Sequence, residues 1–288
     1  LVVAWFGSDL RSGQCQIRPK VEGAGRETSG MTWTVGPVTR EDAEVVSQLN
    51  GRPAYGGTPC DASVLAAIRD LKARGLRVVL YPFILMDIPP DNSLPDPYGG
   101  ARQAAFPWRG RIRPGGALAT DVATFTGTAA PADFSRAGDV IGYAGPDEWS
   151  YRRFVLHHAH LAEAAGGVDA FLIGSEMRGL TLAHAGGGSY PFVTALKNLA
   201  TAVRSVLRPQ TRVSYAADWS EYGAHQPAGG ELRFPLDPLW ADPAISMVAI
   251  DNYMPLSDAR GRETDNPLDV AALRGAIRGG EYFDWYYA

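Results

Sequence analysis

The sequence predicts an α/β fold, a parallel barrel of (β/α)8 type, and three observations carry that prediction. Short apolar runs alternate with amphipathic stretches of helix length. Those runs are apolar throughout rather than alternating, as strands covered on both faces are. Acidic and aromatic residues then recur just past their C-terminal ends. The most informative run is DAFLIGSE, Asp169–Glu176, which follows a helical stretch over 151–165 and the Gly166-Gly167 break. A buried strand that stops at Gly174, Ser175 and a carboxylate delivers Glu176 to the face where α/β barrels carry their chemistry.

Five segments read as buried strands: Leu1–Phe6, Arg77–Leu85, Asp169–Gly174, Arg212–Ala217 and Ser246–Ile250. Helical patterns fall at Cys60–Arg74, Ser150–Ala165, Tyr190–Leu207 and Pro267–Arg278. Asp61 is the expected N-cap of the first, and Pro267 after Asn266 suits the opening of the last. Repeated strand–helix–strand order implies a parallel sheet with right-handed crossovers. The glycine-rich nucleotide fingerprint of a doubly wound sheet is absent, which favours the barrel.

Two stretches break the alternation. Cys15–Val38 holds short β-like pieces, CQIRPKV and MTWTV, and reads as a hairpin excursion after the first strand. A long insertion around residues 88–148, rich in Pro and Gly between Pro89 and Asp147, is the length expected of a substrate-shaping element. Without both, roughly 200 residues remain, below the ~250 typical of a complete eight-unit barrel. The expectation is therefore one barrel domain over residues 1–288, incomplete at one or both ends. Leu1 is not methionine and the chain closes on FDWYYA, so both ends read as cuts through a longer polypeptide.

Composition narrows the function. Of 288 residues 45% are hydrophobic and 20% charged, which excludes global disorder. A net charge of -4 argues against nucleic acid as the partner, and Arg109, Arg111 and Arg113 alternate in a loop without building a basic face. No apolar run reaches the roughly 18 residues needed to span a bilayer, so no membrane insertion is expected. LVVAWF lacks a preceding basic region, so it reads as a strand and not a signal peptide. Cys15 and Cys60 are too few for a disulfide framework, and free thiols are expected.

No metal or other cofactor is expected. His157 and His160 share a helical face at i,i+3, but the zinc-protease pattern of histidines at i,i+4 around a glutamate is missing, and HHAH reads as a helix surface. The Gly186–Ser189 run lacks the phosphate-loop lysine and reads as a flexible loop.

At the strand ends stand Trp5 and Asp9; Asp87; Glu176; Asp218, Trp219 and Glu221; and Asp251, Asn252 and Tyr253. A shared acidic, aromatic-lined mouth suits carbohydrate, because sugar C–H faces stack on aromatic rings while carboxylates accept hydroxyl hydrogen bonds. Glycoside hydrolysis needs two carboxyl groups, one protonated and one ionised. Glu176, between Phe171 and Met177, is the candidate for the proton donor with a raised pKa. Structural readings stand beside these. Glu176 can be a first-turn acid of a helix capped by Ser175. Asp218 and Glu221 fit a strand-to-helix turn, Asp251 and Asn252 can satisfy loop amides, and Trp5, Trp219 and Trp285 can be packing residues.

LVVAWFGSDLR, CQIRP, YGGTPCDASV, RVVLYPFILMDIP, VDAFLIGSEMRGLT, YAADWSEY and DNYMPLSD together resemble one family. It is the TIM-barrel, glycoside-hydrolase-like domain of tail proteins in phages and gene transfer agents, described as host-specificity or baseplate proteins. The resemblance covers nearly the whole chain. It implies a TIM (β/α)8-type barrel of the retaining-glycosidase kind, with the acid/base glutamate after the fourth strand at Glu176. The nucleophile glutamate of such barrels follows the seventh strand, and no segment resembling its surroundings occurs before Ala288; Glu281, in EYFDWYY, reads as a helix edge.

The resulting expectation is a glycoside hydrolase-like tail module acting on bacterial surface glycan, carried on a phage or gene-transfer-agent particle beside other tail or baseplate proteins. Glu176 would be catalytic. Asp218, Glu221, Asp251 and Asn252 would position the sugar, and Trp5, Trp219 and Tyr253 would stack on it. The rival expectation is a non-catalytic glycan-binding or structural tail module on a degenerate barrel.

Overall fold

The computed structural model describes residues 1–25, 30–222, 225–227, 229–253, 266 and 268–279. Its central sheet holds β1 (Val2–Gly7), β2 (Val79–Met86), β3 (Ala170–Ser175), β4 (Arg212–Asp218) and β5 (Ala249–Asp251), each parallel to its neighbours. A two-residue strand, Ile17–Arg18, adds antiparallel to the outer edge of β1. Spatial order along the five parallel strands equals sequence order. Right-handed crossovers in an order that never reverses put every helix on one side, so the sheet curls as a barrel wall; a doubly wound sheet reverses and covers both sides. The fold is the expected α/β fold of TIM-barrel type, and all five predicted strands are present within a few residues of their predicted bounds.

Strand pleating decides which side chains meet the helices. In β2, Leu80, Pro82, Ile84 and Met86 are buried, while Tyr81 and Phe83 lie half-buried on the concave face. In β1 the same alternation buries Val3 and Trp5. The helices are α1 (Asp61–Ala73), α2 (Leu118–Thr126), α3 (Tyr151–Ala164), α4 (Arg178–Thr181), α5 (Pro191–Val206), α6 (Trp219–Tyr222), α7 (Asp237–Trp240) and α8 (Val270–Gly279). Amphipathic α5 buries Phe192, Val193, Leu196, Leu199, Ala200 and Val203, a single stripe at helical spacing. Pro191 opens it, where a missing N–H costs nothing.

Several expectations are corrected. HHAH is not a helix surface: His157, His158 and His160 are all buried, because α3 is enclosed by α1, α5, the sheet and a hairpin from the insertion. Burial accordingly drives His158 down to about 3 and His160 to about 4. The N-cap of α1 is Cys60, and Asp61 instead accepts from the Gly36 amide at 2.7 Å and pairs with His157 Nε2 at 2.9 Å. The first excursion extends well past Val38, with short strands as far as Arg52–Pro53. The insertion is built rather than irregular: it contains α2, single 3-10 turns at Arg109–Arg111 and Pro131–Asp133, and the Phe134–Ala137/Val140–Tyr143 hairpin. Both cysteines are free and buried. Pro267, Glu281 and Trp285 lie outside the described residues.

The end of β3 is irregular where the fold needs it. Its pairing with β4 shifts register between Leu172 and Ser175, a bulge. Gly174 there has φ 149°, and a Cβ would sit 1.6 Å from the Tyr151 hydroxyl. That hydroxyl donates to the Ile173 carbonyl at 2.8 Å, so the first turn of α3 is bonded directly to the bulge. Bulges increase twist and re-aim the next side chain, and here the next side chains are Ser175 and Glu176. We expect Gly174→Ala to destabilise the fold by ~3 kcal/mol, through overpacking and an unfavourable φ. In urea titrations Tyr151→Phe should relieve part of that loss, giving a clearly non-additive cycle; additive effects would mean that the hydroxyl is not the obstruction.

Candidate active site

Glu176 leaves β3 in the left-handed region, at φ 52°, a conformation that costs a non-glycine residue of order 1–3 kcal/mol. Neighbouring β4 holds it there. The Glu176 amide donates to the Ala216 carbonyl at 2.9 Å, and the Met177 amide donates to the Tyr215 hydroxyl at 2.7 Å. Glu176 is 7% exposed as a residue, and its side chain opens into a cleft of about 500 Å3. Val2, Tyr81 and Phe83 from the concave face, Trp108 and Arg109 from the insertion, and Glu176, Asp218, Asp251 and Tyr253 from the strand ends line it.

The cleft concentrates charge around one carboxylate. Trp108 Nε1 donates to Glu176 Oε2 at 2.6 Å, and Arg109 Nη2 lies 2.9 Å from the same oxygen. Arg109 is itself fixed: Nε donates to the Ser175 carbonyl at 3.0 Å, Nη2 to Ser175 Oγ at 2.8 Å, and its guanidinium carbon stands 3.8 Å from the Phe83 ring centre. On the other side the Asp251 carboxyl is in hydrogen-bond contact with Glu176, and Asp251 Oδ2 accepts from the Tyr81 hydroxyl at 2.8 Å. Burial pushes Glu176 above the usual carboxylate range. Arg109 and then Trp108 pull it back, and Asp251 pushes it up again; the net shift is upward. Burial also raises Tyr81, which therefore stays a neutral donor. The raised Glu176 carboxyl keeps its proton to higher pH than an exposed carboxyl does.

The predicted site residues separate into three groups. Glu176, Asp218, Asp251 and Tyr253 meet in the cleft, with Tyr253 72% exposed at its rim beside exposed Asn252. Trp5 does not: its pleat position turns it toward the helices, where it contacts Trp149, Phe154, His157 and His158. Glu221 is fully buried behind the mouth. It accepts from the Asp218 amide at 2.9 Å, while Asp218 Oδ1 accepts from the Ser220 amide at 2.9 Å, so both acids serve the N-terminus of α6. Thr181 Oγ and the Tyr215 hydroxyl donate to the other Glu221 oxygen, each at 2.6 Å. Half-buried Trp219 opens α6 and is not among the residues that line the cleft. Ser175 caps no helix; its hydroxyl serves Arg109.

Asp9 and Asp87, counted at the mouth by their place after strands, are anchors instead. Asp9 binds the Arg11 side chain and accepts from Gln103 Nε2 at 2.7 Å; Asp87 pairs with Lys20 at 3.0 Å and accepts from the Ser47 amide. They tie the insertion and the first excursion to the barrel rim. Trp108, Arg109, Tyr81 and Phe83 went unpredicted. The signals were present: two aromatics at alternating positions in LYPF, and PWRG as an aromatic and a cation between turn residues.

Fold and cleft thus define a parallel α/β barrel wall with a carboxylate pair at the C-terminal ends of its strands. Residues 149–288 match the GTA TIM-barrel-like domain family. Among solved structures, a GH113 β-1,4-mannanase complex is 16% identical over 89% of this chain and 52% of its own, with a TM-score of 0.41. A GH113 β-mannanase from Alicyclobacillus acidocaldarius in complex with ManMIm is also 16% identical, over 97% of this chain and 57% of its own, with a TM-score of 0.43. The chain spans little more than half the length of these structures. No curated protein matches it.

Two measurements check the electrostatics. Carbon-detected titration should show the Glu176 pKa rising in Arg109→Gln and falling in Asp251→Asn; no change in either variant would show the carboxyl to be isolated from both. Glu221, raised from 4.5 to about 7 by burial, favours the fold most when protonated. Its contribution is complete below the unfolded value near 4.5 and is lost as pH rises through about 7. Urea stability should therefore fall by roughly 2 to 3 kcal/mol from this group between pH 5 and 8. Glu221→Gln should flatten that decline, and an unchanged pH profile would show that Glu221 is not its source.

Proposed function

We propose that this chain is the glycoside hydrolase-like barrel of a phage or gene-transfer-agent tail protein and acts on bacterial surface glycan. The observation that carries the reading is the buried Glu176 carboxyl, raised by burial and by Asp251 and facing a cleft walled by Tyr81, Phe83, Trp108 and Tyr253. A carboxyl group whose pKa is raised is the better proton donor to a leaving glycosidic oxygen, while aromatic walls take sugar faces. Glu176 is the general acid/base of a retaining two-carboxylate mechanism. Asp218 and Asp251 position the sugar and Tyr253 stacks on it, joined by Tyr81 and Trp108.

Asp251 is not the nucleophile in this reading. A retaining pair stands about 5–5.5 Å apart, and direct hydrogen-bond contact with Glu176 is closer than that. Asp251 instead raises the Glu176 carboxyl, and the nucleophile comes from outside the described residues. The match of residues 149–288 to the GTA TIM-barrel-like domain supports the tail assignment, with other tail or baseplate proteins as neighbours. One observation favours the rival reading of a non-catalytic glycan-binding or structural tail module. A single Glu176 oxygen already takes both Trp108 and Arg109, and such a carboxylate can serve as a fixed acceptor for sugar hydroxyls.

Glu176→Gln should lower glycan cleavage by about 10^2- to 10^4-fold with an unchanged unfolding midpoint. Cleavage equal to wild type would exclude the acid/base role, and binding without cleavage by the wild-type chain would establish the rival. The acid must be protonated to act, so activity should fall as pH rises through the Glu176 pKa. Asp251→Asn should move that alkaline limb to lower pH. Antibody labelling of purified particles should mark the tail; labelling elsewhere would overturn that placement.

A further inference from the structure

A second cleft, of about 460 Å3, lies across a thin wall from the first and carries the opposite charge. Its charged and polar lining comes from three segments: Tyr98 and Arg113 of the insertion, Arg178 and His184 after β3, and His225 after β4. The wall is the contact between α4 and the Arg109–Arg111 turn. A Cβ on Gly179 would meet the Ile112 carbonyl at 2.3 Å, so backbone packs on backbone there. Arg109 and Glu176 face one cleft, and Arg113 and Arg178 face the other, only a few residues further along the same two segments.

The second cleft is positively charged without internal compensation. Arg113 and Arg178 form no ion pair among the described residues, and no carboxylate lines the cleft. The nearby acids are engaged elsewhere: Asp121 Oδ2 accepts from the Gly115 amide at 2.7 Å and from those of Gly116 and Ala117, and Glu231 pairs with Arg233. Arg113 is also pre-positioned. Its amide donates to the Leu10 carbonyl and its carbonyl accepts from the Ser12 amide, each at 2.9 Å, and its guanidinium carbon stands 5.0 Å from the Tyr98 ring centre. His225 Nδ1 is 2.9 Å from the Tyr190 hydroxyl. Burial, then His184, Arg233 and Arg178, make His225 harder to protonate, as expected where cations crowd one concavity. Arg113 and Arg178 are exposed to the cleft, and cations gathered in a concave site focus potential on an anion and bind it by charge-assisted hydrogen bonds.

We propose that this cleft is a subsite for the anionic group, carboxylate or phosphate, of a glycan whose neighbouring residue occupies the Glu176 cleft. It rests on the glycan reading of the first cleft and adds the substrate class: an acidic surface polysaccharide rather than a neutral one. Arg113 and Arg178 recognise the anion, and the shared wall sets it beside the residue under attack.

The test uses the full chain carrying Glu176→Gln, which keeps the cleft but not the acid, on an array of bacterial surface oligosaccharides. The array includes uronate-bearing, phosphate-bearing and neutral members, and calorimetry follows on the best-bound member. Acidic members should bind best, weaken as salt rises, and lose at least ~10-fold in affinity in Arg113→Gln/Arg178→Gln. Arg113→Lys/Arg178→Lys should recover part of the loss. Whether uronates or phosphates dominate identifies the anion. A preference for neutral glycans, or an acidic preference that survives the double glutamine variant, would overturn this subsite and leave the glycan reading standing. Binding to no member would overturn both.

Discussion

The Arg109 guanidinium ties together parts of the chain that nothing local would join. It enters from the insertion, lies across Phe83 of β2, donates twice to Ser175 at the end of β3, and pairs with Glu176. A cation this deeply buried is tolerated only when its hydrogen-bonding directions are filled; removing one partner of such a pair typically costs about 3–5 kcal/mol. The insertion cannot swing away without stranding that charge. The same cation lowers the Glu176 carboxyl, and Asp251 opposes it from β5. The character of the central acid is therefore set by two opposed neighbours on independent segments, over a background of burial.

Backbone geometry at β3 follows the same logic. Gly174 and Glu176 both leave the ordinary allowed regions, and both are held by cross-strand or cross-layer bonds: the Tyr151 hydroxyl on Ile173, Ala216 on the Glu176 amide, Tyr215 on the Met177 amide. Tyr215 also donates to Glu221, which in turn caps α6. The strained turn that presents the acid is thus bonded to two helices, α3 before it in sequence and α6 after it. An acid carried on a regular strand end would need fewer supports but would follow the pleat instead of the mouth.

What the sequence reveals depends on the range of the interactions involved. The five strands and Glu176 were legible because an apolar run, a glycine and an acid are contiguous and their meaning is local. The facing of Trp5 was not, since a strand apolar throughout gives no sign of which pleat meets the helices. Asp9 and Asp87 carry the same strand-end signature as Asp251, but their partners decide their roles. Asp9 meets Gln103 at a separation of 94 residues, and Asp87 meets Lys20 at 67. Glu221 fits the capping pattern D-x-x-E as well as the mouth pattern, and a bond to the Asp218 amide at the start of α6 is what forms. HHAH had a helical period but no indication that a hairpin from the insertion would close over it. Of Arg109, Arg111 and Arg113, read as a loop without a face, the first and last enter different clefts because the turn at 109–112 packs on Gly179.

The insertion touches the barrel rim through a handful of polar tethers, chiefly Gln103 on Asp9, Arg109 on Ser175 and Arg113 on the backbone at Leu10 and Ser12. Apolar anchors hold it as well: Ile112, Phe125 and Phe134 are buried in the main core, and stretches such as 98–102 and 115–117 run exposed between them. Such an arrangement separates two evolutionary pressures. Exposed residues between these anchors can change at little cost to the fold, while the anchors and the wall that carries the acid cannot.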